Sequence, residues 1–300
     1  MKWLLRKLPR SLRDRLIISR LKIDEDELRG LTFKVATTVD EHEQASRLVH
    51  TEYVRRHIID EQPSGVWITA HGLLPSTVVF VAKKGQHVLG TISLIVDSNV
   101  GLPMDKIYAD ELLPIRALGR RIAEVGALCI EKGHRGNGIV LLLNKLMFRC
   151  ARDLLGVQDL VIAVHPDAAC QYEAALRFVT LGKVRTYPGL TKSALAVPLR
   201  LDLELVEDVL ASAFGSLGND PRSPYHIYFV REDAGLELPT ADVLHAGLTS
   251  VRRISAERLG SLRPACFNEL NTPQRRVLRP LFPTFSEELC SLAGLGAASS

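Results

Sequence analysis

The spacing of apolar residues predicts a strand, a helix and a second strand between residues 124 and 164. Residues 124–130 and 159–164 are short, nearly continuous apolar runs, which are typical of strands buried within a sheet. Between them, apolar residues recur at the i, i+3, i+4 spacing of one helix face: Ile139, Leu142, Leu143, Leu146, Cys150 and Leu154. Gly156 ends the helix, so the segment is one strand–helix–strand unit.

The elements around this unit follow a less regular pattern. Four further strands are predicted, over residues 31–38, 77–82, 87–97 and 194–201. Two further helices are predicted, over residues 40–59 and 168–178. The first of these helices begins at Asp40 as N-cap, with Glu43 three residues on. Meander and hairpin connections predict a mixed α/β sheet, α+β in character, rather than a doubly wound one.

Composition divides the chain into three parts. Residues 1–27 are a basic amphipathic arm with a short acidic linker, and residues 28–204 hold the regular strands and helices. Residues 205–300 contain no lysine and form a C-terminal extension, whose last residues are predicted to be disordered. Within this extension, residues 225–230 are a candidate strand and Thr272 is a candidate N-cap, with Pro273 in the first helical position.

Overall composition is that of a soluble globular protein, with 46% hydrophobic and 24% charged residues. The net charge of +4 is concentrated in the arm: residues 1–22 hold eight Lys or Arg against one Asp. The main part therefore has no basic face, which argues against nucleic-acid binding. The arm could lie on an anionic membrane surface or an acidic partner, or pack as a helix on its own domain.

The five cysteines are scattered and odd in number, which predicts neither a disulfide framework nor a metal site. No apolar run approaches the roughly 20 residues of a membrane-spanning helix. We therefore expect a cytoplasmic protein, with membrane association through the arm as one possibility.

A basic glycine loop connects the strand at 124–130 to its helix. Gly136 and Gly138 allow the backbone to approach a ligand closely, and Arg135 adds positive charge where the first helical N–H groups point outward. This arrangement is a general anion site, and a phosphate-bearing molecule is its usual occupant.

Two motifs resemble those of the GNAT acyltransferase superfamily. The run Arg135-Gly-Asn-Gly-Ile-Val140 is similar to the superfamily's acyl-donor loop, Q/R-x-x-G-x-G/A, except that Val140 replaces the usual small residue. His165-x-x-Ala168-x-x-x-Tyr172 resembles the superfamily's N-x-x-A/S-x-x-x-Y. The resemblance implies a GNAT-like fold with a C-terminal extension, whose loop holds the phosphate of a coenzyme or phosphopantetheine.

A narrower resemblance covers roughly residues 30–205. Segments such as LVHTEYVRRHII and HPDAACQYEAALRFVTLGKVRTYPGL are similar to long-chain N-acyl amino acid synthases, which are relatives of the acyl-homoserine lactone synthases. The lactone synthases carry E-x-S-R on the central strand, where this chain has Glu124-Val-Gly-Ala, and an arginine where it has Val49. The resemblance implies transfer of a fatty acyl group from acyl-carrier protein, or acyl-CoA, to the amine of an amino acid, without a permanently bound cofactor.

The resemblance also assigns roles to residues. Glu124 matches the family's glutamate and is the candidate base, because an amine must lose a proton to attack a thioester; the alternative is an ion pair with Arg120 or Arg121. Tyr172 is the candidate acid for the departing thiolate, and His165 a substrate ligand or second base. For both, the alternative is a core residue. The candidate donor-binding residues are Leu128, Cys129, Ile130, Arg135, Gly136, Asn137, Gly138, Ile139 and Val140.

The acceptor's carboxylate needs a cation, for which Arg55, Arg56 and Arg116 are candidates. The loop at residues 63–75, with Trp67, is a candidate wall of the acyl groove. Cys129 has no base beside it in sequence, which argues against an acyl-cysteine intermediate. Two other functions stay open: an acetyl-CoA-dependent N-acetyltransferase, and a non-catalytic module that binds lipid or carrier protein.

Overall fold

The computed structural model describes residues 9–188, 190, 194–215, 220–245 and 250–285. The predicted disorder of the C-terminal tail lies outside these ranges. Eight strands are described: β1 Leu31–Val35, β2 Thr77–Lys84, β3 His87–Val96, β4 Ile122–Ile130, β5 Asp159–Val164, β6 Val179–Thr180, β7 Arg185–Thr186 and β8 Leu195–Asp202.

The strands form one mixed sheet in the order β1-β2-β3-β4-β5-β8-β6, with β7 also paired to β8. All strand pairs are antiparallel except β4 and β5. These two strands are parallel because the helix between them returns the chain to the same end of the sheet. The predicted mixed sheet is therefore confirmed.

The described helices are distributed along the whole chain. In order they are α1 Arg10–Ile18, α2 Glu25–Leu28, α3 Val39–Arg55, α4 Ala70–Leu73, α5 Asp105–Ala117, α6 Ile139–Arg149, α7 Pro166–Leu176, α8 Val206–Phe214, α9 Ala241–His245, α10 Ser250–Leu262 and α11 Thr272–Leu278. A π-helical turn at Cys150–Leu154 continues α6, and 3-10 turns occupy Lys132–His134, Pro264–Glu269 and Pro283–Phe285.

Two helix starts differ from the sequence prediction. Helix α3 is capped by Thr38 rather than Asp40, and Glu41 completes a capping box by accepting from the backbone N–H of Thr38. Helix α11 is capped by Asn271 rather than Thr272, with Gln274 as its reciprocal partner. The N-cap lies two residues before the predicted one in α3 and one residue before it in α11. In both helices the observed N-cap has an extended backbone.

The sheet is covered on both faces. Helix α6 packs on one face in the largest core cluster, with Leu143 and Leu146 fully buried against Phe33, Phe80 and Ile92. Helix α5 covers part of the other face through Tyr108 and Leu112. Both faces of the central strands are therefore buried, as their continuous apolar sequences require.

The C-terminal extension packs on the sheet and on α4. Residues 225–230, predicted as a strand because of their aromatic and β-branched side chains, are helical, with a π-turn at His226–Val230. Ile227 and Tyr228 bury themselves in the main core, and this packing overrides the strand preference of the segment. Farther on, Phe267, Phe282 and Phe285 form a separate apolar cluster with Leu73 of α4.

The basic arm forms a helix that packs on its own domain. Ile17 of α1 is buried against Cys170 and Ala174 of α7, and Asp14 pairs with Arg177. Residues 1–8 of the arm lie outside the described residues. No helix in the described ranges combines the length and apolarity needed to cross a membrane.

Candidate active site

Strand β4 contains a bulge at its centre. Ser93 pairs with Gly126 and Thr91 with Cys129, so β4 has one more residue than β3 between these pairs. Ala127 accommodates the extra residue at φ +51°, a left-handed conformation that non-glycine residues rarely adopt. On its other side, β4 pairs with β5 only from Ile122 to Glu124. Beyond Glu124 the two strands separate.

A cavity of about 530 Å³ lies at this separation. Residues 124–127 of β4 and Ala163 of β5 form its floor, and Val49 and Tyr53 of α3 form one side. Trp67 lines the cavity, as the sequence analysis proposed for the loop that contains it. The apolar lining and the small number of polar groups are typical of a small-molecule site.

Glu124 is the buried carboxyl group of the cavity. Its Oε2 accepts a hydrogen bond of 2.8 Å from the backbone N–H of Met104. Burial raises the pKa of Glu124 to about 8, although the Met104 hydrogen bond acts in the opposite direction. The alternative role, an ion pair with Arg120 or Arg121, is not what the structure contains: Arg120 pairs with Asp159, Asp202 and Glu204.

A second group of polar residues borders the same cavity and was missed in the sequence analysis. Lys106 at the start of α5 donates a hydrogen bond of 2.8 Å to Glu269 of the C-terminal extension. His71 of α4 is buried beside them, and burial together with the Lys106 ammonium lowers the pKa of His71 to about 4. Lys106 and Glu269 are far apart in sequence, and no sequence pattern connects them, so only the folded chain reveals the group.

The glycine loop has backbone conformations that favour glycine, at the two glycines that the sequence analysis singled out. Gly138 is the N-cap of α6 at φ +105°, and Gly136 also has positive φ. A Cβ on Gly138 would lie 3.0 Å from the Cα of Ile23, so the linker after the arm packs directly on the loop. Val140, in the first turn of α6, is exposed.

The arginines beside the loop surround one buried carboxylate. Glu52 of α3 pairs with Arg55, Arg56 and Arg135. Arg135 therefore folds back along the loop, and its Nε also donates to the Ile130 carbonyl. Three cations share a single anion, so this cluster keeps a net positive charge next to the helix N-terminus.

The structure places Arg116 away from the cavity. Its guanidinium bridges Asp97 and Asp105, with N–O distances of 2.6 and 2.7 Å. Of the three arginines considered for the acceptor's carboxylate, none is among the described residues that line the cavity. Among the described residues that line the cavity, the lysine or arginine is Lys106.

The remaining predicted site residues differ in their placement. Tyr172 lies edge-on to Phe178 at 5.6 Å, and burial raises its pKa, so its hydroxyl stays protonated. His165 caps α7 by accepting from the Asp167 N–H, and its side chain is 57% exposed. Neither is among the described residues that line the cavity. Cys129 is fully buried, and burial raises its pKa to about 12, so its thiol is not a nucleophile near neutral pH.

The mixed sheet, with its bulged central strand and the glycine loop that follows it, is the GNAT-like fold of an acyltransferase. Residues 44–202, more than half of the chain, match the sequence model of the family described as N-acyl amino acid synthase FeeM. The chain belongs to this family, and the protein is an N-acyltransferase.

Solved structures that are similar to this chain include enzymes of several activities. FeeM, an N-acyl amino acid synthase from uncultured soil microbes, is 26% identical with a TM-score of 0.54, over 61% of this chain and 98% of FeeM. BjaI, a CoA-dependent acyl-homoserine lactone synthase solved with SAM and isopentyl-CoA, is 19% identical with a TM-score of 0.47, over 73% of this chain and 99% of BjaI. SpeG, a spermidine N-acetyltransferase from Vibrio cholerae, is 14% identical with a TM-score of 0.41, over 59% of this chain and 96% of SpeG. No protein of curated function matches the chain significantly.

Proposed function

We propose that the protein transfers a fatty acyl group from acyl-carrier protein, or from acyl-CoA, to the amine of an amino acid. The observation that carries this proposal is Glu124, a buried carboxyl group with a raised pKa that faces the cavity at the separation of β4 and β5. Similarity to FeeM, which is an N-acyl amino acid synthase, supports the choice of acceptor class.

The chemistry follows from the groups around the cavity. Glu124, once ionised, accepts a proton from the acceptor's ammonium group, and the free amine then attacks the thioester carbonyl. The carbonyl oxygen develops negative charge, which backbone N–H groups of Leu128 to Ile130 stabilise beyond the bulge. Attack forms the carbon–nitrogen bond, the nitrogen then loses its second proton to solvent, and collapse of the tetrahedral intermediate breaks the carbon–sulfur bond. The sulfur leaves with a proton from Tyr172, whose raised pKa keeps that proton available.

The donor is recognised by charge and by backbone shape. The arginine cluster around Glu52 and the N–H groups at the start of α6 both favour a phosphate beside the glycine loop. Val140 occupies a position where a small residue would give room for a pyrophosphate. A phosphopantetheine, with one phosphate, is therefore the preferred form, and acyl-carrier protein is the expected partner.

The size and lining of the cavity favour a long acyl chain. Apolar side chains such as Val49, Ile95 and Leu190 line a space far larger than an acetyl group requires. This is the reason to prefer a fatty acyl donor over acetyl-CoA.

The test is a donor-by-acceptor assay. The full-length protein is incubated with palmitoyl-carrier protein, palmitoyl-CoA or acetyl-CoA and a mixture of amino acids, and the products are identified by mass spectrometry. We expect N-palmitoyl amino acids, formed faster from the carrier protein than from coenzyme A. Acetylated products alone would overturn the proposal, and tight carrier-protein binding without turnover would indicate a receptor.

We further propose that the arm contacts an anionic membrane. Leu12 and Leu16 of α1 are largely exposed beside basic residues, although the opposite face of α1 packs on α7. The double variant Leu12→Ser, Leu16→Ser should float less well with vesicles of phosphatidylglycerol than the wild type does. Equal flotation, or none for either protein, would contradict membrane contact through α1.

A further inference from the structure

The polar group at the cavity joins two distant parts of the chain. Lys106 lies two residues after Met104, whose N–H holds the Glu124 carboxylate. Glu269 belongs to the 3-10 turn Pro264–Glu269, beyond the part of the chain that matches the family. Both Lys106 and Glu269 line the cavity, so the C-terminal extension supplies part of its wall.

The charges in this group do not cancel. Glu269 accepts hydrogen bonds from Lys106 at 2.8 Å and from Arg263 at 3.0 Å. Burial alone would raise the pKa of Glu269, but these two cations hold it below its ordinary value, so Glu269 is ionised. His71 is neutral near pH 7. Within the cluster of Lys106, Arg263 and Glu269, two cations and one carboxylate leave one net positive charge, and the neighbouring Asp105 carboxylate is paired with Arg116.

Lys106 keeps hydrogen-bonding capacity for a ligand. Its ammonium has three donors, and the described contacts use only the bond to Glu269. The Lys106 side chain is 27% exposed, so a molecule in the cavity can reach it. Arg263 is less accessible, because its guanidinium stacks 3.7 Å from the Trp67 ring and donates to the Ile68 carbonyl.

Lys106 and Glu124 line the same cavity, and Lys106 follows two residues after Met104, whose backbone N–H donates to the Glu124 carboxyl group. The Lys106 charge is among those that act on the pKa of Glu124 and of His71. An α-amino acid carries an amine and a carboxylate on one carbon. With its amine at Glu124, its carboxylate would extend toward the net positive end of the cavity.

We infer that Lys106, held in place by Glu269 of the C-terminal extension, binds the carboxylate of an α-amino acid acceptor. The inference rests on the proposed function and deepens it. Residues 263–269 thereby complete the acceptor pocket, and Lys106 determines the preference of the enzyme for amino acids over simple amines.

The experiment compares an amino acid with the amine that lacks its carboxylate. The pair is phenylalanine and 2-phenylethylamine, or the corresponding pair for whichever amino acid the wild type acylates fastest. The wild type should have a KM for the amino acid at least tenfold lower than for the amine. Lys106→Met should raise the KM for the amino acid about tenfold or more and leave the KM for the amine and for the acyl donor unchanged.

Two further variants separate recognition from a structural role. Glu269→Gln removes the counter-charge but keeps a side-chain oxygen that can accept the hydrogen bond from Lys106, so Lys106 stays in place and the preference for the amino acid should persist. Lys84→Met, the same change on an exposed lysine at the end of β2, should behave like the wild type. If Glu269→Gln loses the preference as fully as Lys106→Met does, Lys106 only anchors the extension and the inference is wrong.

The outcomes also distinguish this inference from the proposed function. A wild type that acylates amines and amino acids equally well overturns the inference and leaves acyl transfer standing. A wild type that acylates neither the amino acids nor the amines overturns both.

Discussion

At the scale of single residues, Glu124 combines burial with contact to a cavity. A carboxyl group buried in this way is protonated at neutral pH unless a ligand or a basic medium removes its proton. Its pKa of about 8 is close to the working range of a base that must take a proton from an ammonium group. The role of Glu124 in catalysis is therefore open to a direct kinetic test.

We expect Glu124→Gln to lower kcat by about 100-fold or more, since general-base catalysis contributes at least that much. In the wild type, the carboxylate is the active form, so kcat should rise as pH rises toward about 8 and then level off. In Glu124→Gln, kcat should not show this rise with pH. The measurement is kcat at saturating acceptor from pH 6 to pH 9.

The matched control is Glu131→Gln. Glu131 directly follows the same strand, but it is exposed and lies beside His87 instead of the cavity. If the two variants keep equal activity, Glu124 is not the base.

Ala127 gives a second residue-scale prediction. Its left-handed backbone is compatible with glycine and strongly disfavours a β-branched side chain. Ala127→Val should therefore destabilise the protein by about 1–3 kcal/mol, whereas Ala127→Gly should not. Urea denaturation of both variants would measure the difference, and equal stabilities would contradict the strain assigned to this position.

At the scale of elements, helix α3 connects the arginine cluster beside the glycine loop to the sheet. Its N-terminus is fixed by the Thr38–Glu41 capping box, and Lys34 and Lys83 pair with the same Glu41 carboxylate. Its C-terminal part carries Glu52 and the surrounding arginines. The position of the arginine cluster therefore depends on both ends of one helix.

Thr38→Ala should reduce the free energy of unfolding by about 1 kcal/mol, because it removes the acceptor for the Glu41 N–H. The control is Thr51→Ala, an exposed position within the same helix, where alanine favours helix formation. Chemical denaturation is the measurement. If Thr51→Ala lowers the free energy of unfolding as much as Thr38→Ala does, the cap has no special role.

The elements that the sequence predicts well are those with a strong periodic pattern. Strand β4, helix α6 and strand β5 appear where the apolar spacing places them, since their burial leaves little choice of conformation. The helical turn at 226–230 could not be predicted, because its aromatic residues have a high strand propensity. The segment is helical because Tyr228 and Phe229 pack against Phe148 of α6. The caps at Thr38 and Asn271 were missed because adjacent polar residues have similar capping ability.

At the scale of the whole molecule, the C-terminal extension is part of the folded body. The segment at 235–237 exchanges backbone hydrogen bonds with Phe33 on the outer edge of β1, at 2.7 and 2.8 Å. Lys145 of α6 pairs with Asp233 at 2.8 Å, and both side chains are only 4% exposed. The extension therefore protects a sheet edge as well as forming one wall of the cavity.

Asp233→Asn should destabilise the whole protein by about 3 kcal/mol, because it leaves the Lys145 ammonium buried without its counter-charge. Asp220→Asn, at an ion pair with the exposed Arg222, should cause no measurable change. Urea unfolding of both variants tests this. If Asp233→Asn unfolds like the wild type, the extension is not coupled to the core through this pair.

The polar pair of Lys106 and Glu269 at the cavity was beyond the reach of sequence reasoning. The two residues are 163 positions apart, and although Lys106 lies in the part of the chain that resembles the family, nothing in the sequence pairs it with Glu269. By contrast, Glu124 and the glycine loop lie in one continuous stretch, which a motif can describe. Long-range contacts between unremarkable residue types become visible only in three dimensions.

The extra residue in β4 also determines which side chains share a face of the sheet. In a regular strand, Glu124 and Cys129 would point to opposite faces, because their separation is odd. The bulge reverses this parity, and Tyr53 on α3 lies near both side chains. The bulge therefore keeps the carboxyl group on the same face as the strand end that leads into the glycine loop. Deletion of one residue between them would restore a regular ladder and, because the remaining separation of four is even, would leave both side chains on that face.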